Sequence, residues 1–151
     1  MDSVHETAYG FARSKLGNSD FPVRGRWVQM DVVKRICAED LAEAIGLRGV
    51  RGWPAVAYAG FWAGIVTTDP DWASAWHHHC DQHKVIYLLE GRMTIEWGTG
   101  VGQSIQATAG EFLHVPPNTV HREVNPDPSA IRAVVIRVGE GDAAVEVPAP
   151  A

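Results

Sequence analysis

The sequence predicts an all-β domain closed into a barrel or sandwich, preceded by an N-terminal arm and one short helix. Three observations carry this. From about Trp53 onward, short runs rich in β-branched and aromatic residues succeed one another, each closed by Gly, Pro, Asp or Asn. Only one segment has clear helical spacing. A chain of 151 residues is about one domain's worth, enough for a single core.

Residues 1–25 are interrupted by Gly10, Gly17, Pro22 and Gly25 and keep no apolar period, so they predict an arm lying on the domain or on a partner subunit. From Trp27, WVQMDVVKRI reads as a strand. AEDLAEAIG then places Leu41, Ala44 and Ile45 at helical spacing, with Gly46 as the stop. The strands that follow are AVAYAGF, FWAGIVTT, ASAWHHH, VIYLLE, RMTIEW, SIQA, EFLHV and IRAVVIRV. WGTGVGQ is a glycine-rich hairpin connection, and VPPN forces a turn with no strand donors. One domain over residues 26–140 is expected, and 141–151 as a flexible tail.

Composition excludes several classes. A net charge of -5 without a basic cluster offers no footprint for nucleic acid or for an anionic membrane. No apolar run reaches the length of a signal peptide or a membrane span. Cys37 and Cys80 are too few for a disulfide framework, which makes a reducing cytoplasm the expected location.

The chemistry concentrates in SAWHHHCDQHKVIYLLEG, residues 74–91. Of seven histidines, six fall between His77 and His121. Side chains alternate along a strand, so His77 and His79 share one face while His78 and Cys80 take the other. Two imidazoles two residues apart can share a metal. His121, just after the proline turn, is placed to be a third ligand, and His83 could swing in as a fourth. Neutral imidazoles suit divalent transition metals.

The two histidine segments resemble the paired motifs of the cupin superfamily. His77, His79 and Gly91 fit the first motif with its longer spacer. GEFLHVPPNTVHREVN fits the second through Gly110, Pro116, His121 and Asn125, with Asn118 where glycine is usual; Asn tolerates the left-handed backbone almost as well. The resemblance implies a small jelly-roll barrel with a metal site inside it, its motifs at 77–91 and 110–125. It also implies one divalent transition metal (iron, zinc, nickel or manganese) held by His77, His79, His83 and His121.

One departure stands out: Lys84 occupies the position of the family's glutamate ligand. Three resolutions are open. The site uses three histidines and open positions; His83 replaces the glutamate; or the metal is lost and the ammonium takes its charge position. A metal held by neutral histidines alone favours an anionic substrate oxygen, such as an enolate, phenolate or carboxylate. The expected function is therefore a metal-dependent enzyme acting on a small enolisable or aromatic molecule, of dioxygenase type. His83, Lys84 and His114 are the candidate proton-moving groups. The alternatives are a non-redox cyclase or isomerase, a metal-free isomerase with Lys84 binding an anion, and a small-ligand-binding protein. Blander readings attach to other residues: His78 as an outward sheet residue, Cys80 as a small filler, and Glu111 as a structural turn acid. The arm and the aromatics of GWPAVAYAGFW suit a homodimer.

Overall fold

The computed structural model describes residues 33–43, 48–99 and 102–151. Among the described residues there are eleven strands: β1 Val50–Tyr58, β2 Phe61–Thr68, β3 Trp72–Ala73, β4 His77–His78, β5 His83–Glu90, β6 Arg92–Trp97, β7 Gln103–Thr108, β8 Phe112–Val115, β9 His121–Asn125, β10 Ile131–Val138 and β11 Val145–Glu146. They form two antiparallel sheets, in the orders β1-β2-β10-β5-β8 and β11-β4-β9-β6-β7, with β3 also paired to β9. The all-β expectation holds. FWAGIVTT, RMTIEW and IRAVVIRV are strands over the lengths expected from sequence.

Alternation builds the core. Along β5, Ile86 and Leu88 are buried while His83 and Glu90 are exposed, and along β10 Ile131, Ala133 and Val135 turn inward. These residues join Trp62, Met93, Ile95, Ala107, Leu113 and Val115 in one cluster between the sheets, against which Val66 and Trp97 pack. Burying such apolar side chains is worth roughly 1.5–3 kcal/mol each. The connections follow turn chemistry: β6 and β7 form a hairpin with Trp97 opposite Gln103 across the glycine-rich loop. Asn118 adopts the left-handed conformation (φ 57) at the proline turn, and its amide donates to Asp81 Oδ1 at 2.9 Å.

Four expectations need correction. Within WVQMDVVKRI, residues 33–36 form no strand, and residues 27–32, like the arm 1–25, lie outside the described residues. The expected helix is a single 3₁₀ turn, Ala38–Asp40, in which Asp40 Oδ2 accepts from Cys37 N–H. Leu41 is already extended (φ -81, ψ 116), and residues 44–47 lie outside the described residues. Spacing alone did not sustain a helix there, because no residue of the turn is buried and helical stability comes mostly from a packed face. ASAWHHH is broken into β3 and β4, with residues 74–76 between them in neither strand. The tail, expected to be flexible, is instead paired: Val145 faces His78 and Glu146 faces His77, Val147 N–H donates to the Trp76 carbonyl, and Ala144 is buried.

Candidate metal centre

Two paired strands meet where the histidines lie. β4 brings in His77, directly opposite His121 on β9, and His79 follows just after β4. On β9 the pattern of burial is strictly alternating, so His121, Glu123 and Asn125 all face inward. The result is a buried group of His77, His79, His121 and Glu123 whose ligand atoms all lie within 4.8 Å of one another. The ring centroids are 4.4–5.1 Å apart. Asn125 is spent on structure, its amide donating to the carbonyls of Asp69 and Ser129.

The backbone fixes which nitrogen of each ring is available. His77 Nδ1 lies 2.9 Å from the Ala75 carbonyl, His121 Nδ1 2.9 Å from that of Thr119, and His79 Nδ1 2.5 Å from that of Ala143. A carbonyl only accepts, so each Nδ1 carries the proton and each neutral ring keeps its lone pair on Nε2. Nε2 of His79 and of His121 is buried without a hydrogen-bond partner. Burial lowers the pKa of His77 from 6.5 to about 4, against the opposing attraction of Glu123. The same desolvation, reinforced by the Lys84 ammonium, lowers His79 to about 2. Both rings are therefore neutral at physiological pH, the state in which imidazole is a ligand.

Glu123 supplies the carboxylate that the first motif lacks. It escaped the sequence reading, although period-two alternation from His121 puts it on the same face. Its partner is Lys84, which reaches from β5 in the opposite sheet to form a salt bridge with Glu123 Oε1. The two side chains are only 12% and 10% exposed, so the pair is largely removed from water. Burial alone would raise the Glu123 pKa, but the Lys84 ammonium, together with His121 and His77, outweighs it and holds the carboxyl well below its ordinary 4.5.

The structure does not bring His83 to this group. Lys84, Ile86 and Leu88 point inward from β5, so His83 points outward. There its Nδ1 lies 3.0 Å from His114 Nε2, on the neighbouring edge strand β8, with the two rings nearly parallel. His114 is likewise exposed. Of the residues picked out by sequence, His77, His79, His121 and Lys84 converge, and His83 and His114 pair elsewhere. His78 is half-buried and accepts from Cys80 N–H, while Glu111 accepts from Thr108 N–H and Oγ1 as a turn acid.

The residues fit a divalent transition metal. Two buried imidazole nitrogens without partners are costly unless something occupies them, and three imidazoles with one carboxylate form a donor set suited to such an ion. Trp97 stands opposite His121 on β6, and with Thr119, Val120, Val147, Pro148 and Pro150 it lines an open pocket of about 420 Å³ whose walls include none of the four ligand residues. Its walls are almost wholly apolar.

The family described as Cupin domain matches residues 64–137. A segment of 45 residues, 30% of this chain, is 51% identical to quercetin 2,3-dioxygenase of Bacillus subtilis (strain 168), but spans only 12% of that protein. Among solved structures, the polyketide cyclase RemF from Streptomyces resistomycificus superposes with a TM-score of 0.64 at 19% identity, over 78% of this chain and 87% of RemF. KdgF from Halomonas sp. gives 0.61 at 15% identity, over 74% and 97%. Oxalate decarboxylase OxdC of Bacillus subtilis gives 0.57 at 18% identity, over 68% of this chain and 29% of that one.

Proposed function

We propose, from the premise that this chain belongs to the cupin superfamily, that it is a metal-dependent enzyme acting on a small enolisable or aromatic substrate. His77, His79, His121 and Glu123 would hold one divalent transition metal, either iron, manganese, nickel or zinc. The observation that carries this reading is the pair of buried, unpartnered Nε2 atoms of His79 and His121, converging with His77 and Glu123. When bound, such an ion supplies Lewis acidity toward substrate oxygens and, if redox-active, access to dioxygen chemistry. The chain's own contribution is orientation and exclusion of water. The carbonyls of Ala75, Thr119 and Ala143 fix the rings, and the burial of all four ligand residues keeps them from bulk water. Trp97 offers a flat aromatic surface beside His121. Lys84, rather than the outward-facing His83 and His114, is the charged group in reach of a bound substrate.

We favour dioxygenase-type chemistry, supported by the 51% identity of a segment to quercetin 2,3-dioxygenase. A second reading, a non-redox cyclase or isomerase, is supported by the match in domain size to RemF, which this chain covers over 87% of its length. Iron- and manganese-loaded protein is to be mixed with quercetin in an oxygen electrode. Dioxygen consumption in step with quercetin loss supports the first reading. Loss without oxygen uptake moves the assignment to the second, and no turnover with any loaded metal would exclude quercetin-like substrates. The protein is further proposed to work as a cytoplasmic homodimer, in keeping with free Cys37 and Cys80 and with exposed Phe112 and Val138 on the outer sheet face. Light scattering of the purified chain tests the dimer.

A further inference from the structure

Lys84 and Glu123 form a pair whose logic changes once the carboxylate becomes a ligand. As the structure stands, the single buried carboxylate among the described residues, Glu123, faces the Lys84 ammonium. A second cation lies beside it. Arg137 is directly opposite Lys84 across the β10–β5 ladder and faces inward, its guanidinium 5.0 Å over the Trp62 ring and Nη1 3.2 Å from the Ala143 carbonyl. When Glu123 serves as a ligand, its charge is committed to the ion. The Lys84 ammonium is then left largely buried beside a dication, with no other buried carboxylate among the described residues to answer it. An uncompensated charge in such a site is expensive.

We infer that Lys84 is an exchangeable counter-ion. It holds Glu123 in the unloaded site and, once Glu123 joins the ligand set, takes an anionic oxygen of the substrate beside that set. The substrate class that satisfies this is a small carboxylate, enolate or phenolate. A neutral polyol or hydrocarbon would leave the ammonium unanswered. The inference rests on the metal-holding reading given above and adds to it the charge of the substrate and the residue that recognises it. It also explains why a lysine is tolerated where the family carries an acid. Lys84 competes for Glu123, so this position tunes metal affinity and ligand charge in opposite directions.

That opposition is the test. The full-length chain, freed of metal with a chelator, is titrated with Co²⁺ in competition with a chromogenic chelator, as wild type and as Lys84→Met, Lys84→Gln and Lys84→Arg. Acetate, with acetamide as its neutral counterpart, is then titrated into each cobalt-loaded form and followed by the visible cobalt spectrum. Lys84→Met is expected to bind cobalt about tenfold more tightly and acetate about tenfold more weakly. Acetamide affinity should be unchanged, and Lys84→Arg should keep most of the acetate affinity. Lys84→Gln repeats the measurement should the methionine variant not fold. Cobalt affinity that stays level or falls when the ammonium is removed would overturn the inference, as would acetate affinity that does not change. Those outcomes leave the metal site standing. Failure of every form, wild type included, to bind cobalt would overturn both the metal reading and the inference built on it.

Discussion

Acid should destabilise the metal-free protein well before its carboxylates titrate. His77 and His79 are held neutral, with pKa values lowered by burial to about 4 and about 2. In the unfolded chain both would titrate near 6.5. Between these values the unfolded state binds protons that the folded state refuses, so stability rises with pH. The contribution is fully present above about pH 6.5 and is lost as pH falls, down to about 4 for His77 and about 2 for His79. Each unit of pH below the unfolded pKa costs about 1.4 kcal/mol per histidine, so from pH 7 to pH 5 the pair together removes about 4 kcal/mol. Glu123 adds nothing in that window, because its pKa is depressed and its contribution is lost only below about 4.5. The assay is urea unfolding of chelator-treated protein across that range at constant ionic strength, beside His77→Gln, which should show about half the slope. A wild-type stability that changes by less than about 1 kcal/mol from pH 7 to pH 5, or a variant with the full slope, would refute the assignment of these rings as buried and neutral.

Three further outcomes are expected. His83→Ala and His114→Ala should leave metal content unchanged by elemental analysis, since both rings lie on the outer sheet face; loss of the metal in either would place them back in the site. Deleting residues 141–151 removes the Ala143 carbonyl that orients His79, along with the pairing of β11 to β4, and should weaken metal binding by about 10–100-fold in chelator competition. An unweakened site would mean that His79 needs no such anchor. Gly139→Ala places a Cβ 2.2 Å from the Asp81 carbonyl oxygen at φ +132, and should cost about 2 kcal/mol or more in urea unfolding; a neutral effect would show that the β10 exit relaxes freely.

Most of the fold was legible because antiparallel strands with one buried face announce themselves by alternation and by the residues that close them. IRAVVIRV and RMTIEW could be bounded from sequence alone. The two motifs likewise placed His77, His79 and His121 together, and Asn118 at a left-handed turn. Glu123 was within reach of the same rule, two residues beyond His121. What hid it was the expectation that the acid belongs on β5, where Lys84 stands. That the two meet across the sheets is a tertiary fact with no local signature. The Ala143 carbonyl is equally silent in sequence, because any residue can offer a backbone oxygen, and GDAAVEVPAPA has the composition of a loose end. The helix misled for the opposite reason: AEDLAEAIG has the spacing, yet its 3₁₀ turn buries nothing.

The central claim is that His77, His79, His121 and Glu123 form a metal site, and elemental analysis tests it most directly. Protein purified without an affinity tag or chelator should carry about one transition-metal atom per chain, the occupancy expected of a single four-donor site. His79→Ala and His121→Ala should each lose it while remaining folded. A wild type that is empty as isolated, and stays empty after anaerobic addition of iron, manganese, nickel and zinc, would contradict the account.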